Sequence, residues 1–168
     1  TVEGFAEQTK NPRFSWDSYR RFIQLFGKVV FGVNDEKFDH VLDDAKEKQG
    51  VTDDSKLSVE SLKSIVSKYK KICEEHTKRK FPDTPNEQLV LSIEAVFKSW
   101  MGERAIVYRE KNNITKDIAN GTAVNVVTMV FGNMGDDSAT GVVFTRNGHN
   151  GKKEIEGEYL INAQGEDV

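Results

Sequence analysis

The chain has 168 residues, enough for one domain or two small ones, and 37% of them are hydrophobic. Its 24 basic and 27 acidic residues leave a formal charge of −3, which excludes the electrostatic signatures of a general nucleic-acid binder and of a polybasic membrane surface. The apolar runs are far shorter than the ~20 residues of a membrane span, so we expect neither nucleic acid nor a membrane as a partner. The single cysteine, Cys73, excludes an internal disulfide and a four-cysteine zinc site.

The first half of the chain has apolar residues at helical spacing. Ser15 is the predicted N-cap of a first helix, Asn34 caps a second helix that ends at Gly50, and a third begins near Ser58. Each helix carries one apolar stripe, so we expect the three to pack together as a small bundle. The stripes are Trp16, Tyr19, Ile23, Phe26 and Val30; Phe38, Val41, Leu42 and Ala45; and Leu62, Ile65, Val66, Tyr69, Ile72 and Cys73.

The clearest interruption of this pattern is the segment 81–87. Thr84, Pro85 and Glu87 have the spacing of a capping box with proline at the first helical position, so a new helix begins there. A short helix from Glu103 to Arg109 follows. We therefore predict a helical subdomain over residues 1–83 and a second subdomain over residues 84–168.

After Gly121 the pattern changes to short β-rich runs separated by glycine turns. Residues 122–131 are rich in β-branched side chains and apolar on both faces, which favours a central strand. Residues 139–145 and 155–161 are two more predicted strands, and the short loops favour an antiparallel three-stranded meander. The expected fold class is α+β.

Few residues show a pattern typical of a catalytic or metal site. The three histidines, His40, His76 and His149, are dispersed, and no His-x-x-x-His or Cys-x-x-Cys spacing predicts a local metal site. The glycine-bearing loop 132–138 lacks the lysine and the following helix of a phosphate-binding loop. A hairpin connection is therefore the better interpretation of this loop.

An acidic group near the end of the sequence is the remaining candidate. Glu158 lies on the last predicted strand, and Glu166 and Asp167 follow in the next loop. Carboxylates at strand ends suit a magnesium–nucleotide site, because Mg²⁺ takes hard oxygen ligands from one or two carboxylates and from phosphates. Acidic loops also occur simply as solvated surface, and composition alone leaves both interpretations open.

Residues 121–168 resemble the nucleotide-binding region of the pyruvate phosphate dikinase family, and the likeness extends over essentially the whole chain. It rests on several segments that occur in the same order as in the family. These segments are Asn11–Phe14 with Asp17–Phe22, Ala95–Trp100, Arg104–Ile106 with Tyr108 and Arg109, and the closing run Gly157–Val168.

The resemblance implies part of an ATP-grasp nucleotide-binding domain, with the helical bundle as an inserted subdomain. It implies a phosphotransferase that passes phosphoryl groups from ATP, through a histidine on a separate swivelling domain, to pyruvate, giving phosphoenolpyruvate, AMP and pyrophosphate. Mg²⁺ and ATP are the cofactors that it implies. The phosphorylated histidine and the pyruvate domain have no counterpart in these residues, so we expect the chain to be a part of a longer enzyme that is inactive alone.

The resemblance also implies a set of nucleotide-binding residues. Met129 and Val130 match the strand end that contacts adenine. Arg20 and Arg21 match an arginine pair on the helical wall of the cleft, which could equally be structural. No catalytic residue and no identified metal ligand is carried over, and His149 is not expected to be the phosphorylated histidine. The remaining matches line the nucleotide cleft and are Thr140, Glu158, Glu166 and Asp167.

The intact enzyme that the resemblance implies is a homodimer in the cytoplasm, or in a plastid or glycosome-like organelle, whereas we expect this part of it to be a monomer. Two alternatives remain at this stage. One is a phosphoenolpyruvate synthase-like ATP-grasp domain, and the other is a noncatalytic helical and β interaction module.

Overall fold

The computed structural model describes all residues from Thr1 to Val168 and has an α+β fold, as expected. It contains two compact units, Thr1–Val126 and Val127–Val168. The first unit holds six helices: α1 (Val2–Thr9), α2 (Pro12–Val29), α3 (Glu36–Gln49), α4 (Val59–Thr77), α5 (Pro85–Ser99) and α6 (Glu103–Lys111), with a 3₁₀ turn at Asp54–Lys56. The second holds β1 (Ala139–Phe144), β2 (Glu156–Ile161) and a 3₁₀ turn at Gly165–Asp167. The predicted subdomain boundary after residue 83 does not correspond to the division between these two units and stays a prediction.

Local capping chemistry sets where the helices begin and end. The predicted start of α2 at Ser15 is wrong, because Asn11 caps the helix four residues earlier, accepting from the Phe14 backbone N–H at 3.1 Å with Pro12 at the first helical position. Gly50 ends α3 with a φ of +70°, and the Ser58 hydroxyl accepts from the Ser61 N–H at 3.2 Å at the start of α4, as predicted.

The starts of α5 and α3 were also predicted from capping residues. The Thr84 hydroxyl accepts from the Glu87 backbone N–H at 3.3 Å, which confirms the predicted start of α5. The predicted Asn34 cap is shifted by one residue, since α3 begins after Asp35, although the Asn34 side-chain oxygen still accepts from the Glu36 N–H at 3.1 Å. Helix α1 was not predicted.

The core of the first unit lies between α2, α3 and α4, as the apolar stripes indicated. Tyr69 of α4 is fully buried, its ring lies 4.8 Å from that of Phe38, and its hydroxyl donates to the Phe38 backbone oxygen at 3.0 Å. Helices α5 and α6 bury no residue completely. The buried core residues are Ile23, Phe26, Val33, Phe38, Leu42, Leu57, Leu62, Ile65, Val66, Tyr69, Cys73 and Phe81.

The second unit contains an antiparallel hairpin and no third strand. β1 and β2 pair in a register that places Thr140 opposite Leu160 and Val142 opposite Glu158. Residues 122–131 form no strand, so the predicted three-stranded meander is wrong. The reason is that a strand needs a neighbour to satisfy its backbone groups. The run 122–131 pairs with neither β1 nor β2, and most of its apolar side chains are exposed.

None of the helices combines the length and the apolar composition that a membrane span requires.

Candidate functional site

The end of the hairpin is closed by a close approach between three chain segments. The Ala163 backbone N–H donates to the Gly132 carbonyl oxygen at 3.0 Å, and the Asn162 N–H donates to the Ser138 oxygen at 2.7 Å. A side chain at position 132 would place its Cβ 2.4 Å from the Ala163 oxygen and 2.7 Å from the Ala139 oxygen. Only glycine allows the backbone to pass at this distance.

Gln164 anchors the turn that follows this junction. It is only 5% exposed, and its side-chain amide donates to the Asn133 Oδ1 atom at 3.1 Å. The same side chain accepts from the Asp167 backbone N–H, while Asp167 Oδ2 accepts from the Gln164 N–H at 2.9 Å, which forms a reciprocal capping box. The 3₁₀ turn carrying Glu166 and Asp167 is therefore fixed to the loop that begins at Gly132.

Met129 and Val130 lie on the segment that leads into this junction, outside any helix or strand. Both side chains are exposed, Val130 by 90%. Val130 precedes Gly132 by two residues, and Glu166 follows Gln164 by two residues. The junction thus connects two groups of residues that the resemblance assigned to the nucleotide.

Thr140 and Glu158 lie together on one face of the hairpin. Residues directly opposite each other in an antiparallel pair share a face, so the face containing Thr140 and Leu160 also contains Val142 and Glu158. Thr140 and Glu158 are diagonal neighbours in this register, roughly 7–8 Å apart by the usual strand spacing. No group of three or more histidine, cysteine or acidic side chains is close enough to hold a metal ion, so Glu158 does not form a closed metal site with Glu166 and Asp167.

Arg20 and Arg21 lie in the first unit, on α2. Arg20 is 3% exposed and donates to Asp17 Oδ1 through Nη2 at 2.6 Å and through Nε at 3.0 Å. Its Nη2 also lies 3.3 Å from Asp54 Oδ2, and Arg21 Nε lies 3.5 Å from Asp17 Oδ2. The Arg20 guanidinium therefore joins α2 to the 3₁₀ turn that begins at Asp54.

Comparison with known proteins gives the same assignment over most of the chain. The family model described as "Pyruvate phosphate dikinase, AMP/ATP-binding domain" matches residues 54–168. The chain belongs to this family. It is 53% identical to pyruvate, phosphate dikinase of Clostridium symbiosum over 99% of the chain, and 51% identical to that of Entamoeba histolytica over 100% of the chain. It is also 52% identical to pyruvate, phosphate dikinase 1, chloroplastic, of Arabidopsis thaliana over 99% of the chain.

The chain spans about a fifth of the length of these relatives. It covers 19% of the Clostridium and Entamoeba proteins and 17% of the Arabidopsis protein. Membership of the family fits an AMP- or ATP-binding domain, and the junction described above lies within the matched residues.

The three histidines are not brought together in this member of the family. His40 and His76 are exposed on helices, as expected. His149 lies in an exposed turn in which Asn147 Oδ1 accepts from the His149 and Asn150 backbone N–H groups at 2.9 and 3.1 Å. The turn is thus shaped by asparagine side-chain bonds and needs no contribution from the imidazole.

Two residues of the site were missed by the analysis of the sequence, Gln164 and Asn133. The local signal for Gln164 was present, since an amide three residues before Asp167 has the spacing of a reciprocal N-terminal cap. No local signal links Gln164 to Asn133, because 31 residues separate them.

Proposed function

We propose that this chain forms part of the nucleotide site of an ATP-grasp domain, within an enzyme that makes phosphoenolpyruvate from pyruvate. The observation that carries the proposal is the anchored turn: in a chain of this family, Gln164 fixes two carboxylates beside the segment that carries Met129 and Val130. The names of the relatives support a dikinase rather than a synthase or a noncatalytic module.

The residues of the second unit divide by the part of the nucleotide that they suit. Met129 and Val130 present exposed apolar side chains and backbone outside any helix or strand, which suits the flat face and the polar edge of adenine. Thr140 and Glu158 offer a hydroxyl and a carboxylate on one face of the hairpin, where they can bind hydroxyl groups or phosphate-bound metal.

Glu166 and Asp167 suit the metal and phosphate end of the nucleotide. Mg²⁺ is commonly held by one or two carboxylates together with phosphate oxygens, so a turn bearing two carboxylates fits it without a closed set of protein ligands. When bound, the ion neutralises the charge of the phosphates. Asp167 contributes with its carboxylate already oriented by the Gln164 N–H, while Glu166 extends from the same turn.

For the arginine pair we favour a structural role. The Arg20 guanidinium is buried and bonded to Asp17 and Asp54, so moving it to a phosphate would break its bonds to two carboxylates. Arg21, with 18% of its side chain exposed, also pairs with Asp17, its Nε atom lying 3.5 Å from Asp17 Oδ2.

The names of the relatives support a proposal for the activity of the whole enzyme. We propose that it converts ATP, inorganic phosphate and pyruvate into AMP, pyrophosphate and phosphoenolpyruvate, with a histidine of a separate swivelling domain as the carrier. The residues of this chain would bind and orient the triphosphate, and catalysis in such a site comes mainly from positioning and charge neutralisation. We further propose a homodimeric enzyme in the cytoplasm or in a plastid, the latter suggested by the chloroplastic relative.

A titration of the isotopically labelled chain with magnesium and ATP, followed by amide NMR shifts, tests the nucleotide site. We expect the shifts to concentrate in residues 129–140 and 158–167. Replacement of Glu166 by Gln should weaken binding about 10- to 150-fold, because one charge-assisted contact is worth about 1.5–3 kcal/mol. The matched control is Glu154→Gln, an exposed acidic residue in the hairpin loop. Shifts confined to other regions, or equal effects of the two variants, would contradict the proposal.

A further inference from the structure

The amide bridge between Gln164 and Asn133 is a direct side-chain hydrogen bond between the two loops at the end of the hairpin. Its donor residue is 95% buried, and both polar groups of that residue are used, Nε2 toward Asn133 and the carbonyl oxygen toward the Asp167 N–H. A buried amide whose nitrogen and oxygen are both hydrogen-bonded has a preferred orientation. The bridge therefore fixes one loop relative to the other.

The bridge lies close in sequence to both groups of residues that we propose to contact the nucleotide. On one side, Asn133 follows Val130 by three residues, and on the other side Glu166 follows Gln164 by two. The backbone bond from Ala163 to Gly132 runs beside it. A change in the bridge is therefore transmitted over only a few bonds to the two groups of residues that we assign to opposite ends of the nucleotide.

We infer that Gln164 is a positioning residue, which couples the metal and phosphate turn to the adenine-contacting segment. This inference rests on the proposed function. Two contact regions held at a fixed separation bind a ligand that spans both more tightly than two loosely connected regions, because the ordering cost is met before binding. Binding of the complete MgATP depends on the bridge, whereas binding of adenosine, which reaches only one region, does not.

The test compares MgATP and adenosine affinities of the chain and three variants by NMR titration. Gln164→Leu removes the bridge and the cap at nearly constant volume, and Asn133→Ala removes the bridge alone. Each should weaken MgATP binding about 10-fold, equivalent to about 1.4 kcal/mol, and leave adenosine binding within about twofold of the original. The double variant should be no weaker than Gln164→Leu, because both changes delete the same hydrogen bond.

A length-exchanged variant, Asn133→Gln with Gln164→Asn, provides the rescue. It keeps the number of methylene groups across the bridge, so it should restore MgATP affinity to within about threefold of the original chain, since side-chain amides form equivalent bonds. Unchanged hairpin amide shifts at residues 139–144 and 156–161 in the variants confirm that the fold is intact.

The outcomes separate this inference from the proposed function. If the original chain binds MgATP and both single variants bind it within about twofold as well, the inference is overturned and the proposed function stands. If the variants lose adenosine and MgATP affinity in the same proportion, the bridge serves only the fold and the inference is again overturned. If the original chain binds no MgATP, the proposed function fails and the inference fails with it.

Discussion

Gly27 lies on α2 at the point where this helix meets two fully buried side chains. A Cβ at this position would lie 2.7 Å from the Phe38 Cζ atom and 2.9 Å from the Cys73 Sγ atom. Neither neighbour can swing aside into solvent, since both are 0% exposed. Substitution by alanine therefore tests whether the three core helices are as close as the structure shows.

The magnitude of the effect follows from two opposing contributions. Normal carbon contacts lie at about 3.5–4.0 Å, so the new methyl overlaps Phe38 by roughly 1 Å, and overpacking of a close-packed core costs about 1–3 kcal/mol. Replacing glycine by alanine in a helix recovers about 0.5–1 kcal/mol. We expect Gly27→Ala to lower the free energy of unfolding by about 1–2 kcal/mol and the melting temperature by roughly 2–8 °C.

Urea unfolding followed by circular dichroism measures this change, and two other glycines provide matched controls. Gly4→Ala places its methyl at an ordinary 3.5 Å from Thr1 and should be neutral or stabilising. Gly50→Ala meets no atom within 4 Å but has a φ of +70°, so its cost of about 1 kcal/mol is conformational. Adding Cys73→Ala should relieve part of the Gly27→Ala loss and none of the Gly50→Ala loss. A Gly27→Ala chain as stable as the original would refute the close approach.

Three further predictions concern charge and burial. Asp17→Asn should cost about 3–5 kcal/mol in urea unfolding, because it leaves the buried Arg20 guanidinium without its main partner; a loss below about 1 kcal/mol would contradict this. Burial raises the pKa of the Cys73 thiol to about 11. An aromatic disulfide reagent should therefore label Cys73 at pH 8 only after denaturation, and rapid labelling of the native chain would contradict the burial of this thiol. Hydrogen bonds from Lys28 and from Lys80 hold the pKa values of Asp35 and Asp83 below the ordinary 3.8. The ionised carboxyl groups of Asp35 and Asp83 therefore stabilise the fold above pH 3.8, and this stabilisation is lost as the pH falls through their lowered pKa values. Asp35→Asn should flatten the decrease in the free energy of unfolding between pH 5 and 2. An unchanged slope would contradict the ion pair between Lys28 and Asp35.

The helices could be predicted well because their signals are local. Capping at Ser58 and Thr84 and the left-handed stop at Gly50 depend on residues within one turn of the helix end, and all three are present in the structure. The start of α2 was misplaced because Ser15 and Asn11 are both capping residues. The structure decides between them through Pro12, whose fixed φ suits the first helical position.

The run 122–131 shows where local pattern is insufficient. Its β-branched, two-sided apolar composition is typical of a central strand, but composition supplies only the propensity, and the hydrogen-bonding partner must come from elsewhere in the fold. Within this chain β1 and β2 pair only with each other, and Gly132, just beyond the run, accepts from the Ala163 backbone N–H. A strand propensity without a paired neighbour leaves a segment outside the sheet with exposed side chains, among them Val127 at 80%.

The candidate site depends both on a local capping signal and on a contact between residues far apart in the sequence. Glu166 and Asp167 were identified by resemblance, and their turn has a local cap that the spacing of Gln164 and Asp167 encodes. What holds this turn in place is a bond to Asn133 across 31 residues, and that bond exists only because Gly132 lets three backbone segments approach within contact distance. Any side chain at position 132 would separate the loops before the amide bridge could form. The geometry of the acidic turn therefore depends on a glycine that carries no chemistry of its own, and this dependence becomes visible only once the hairpin has closed.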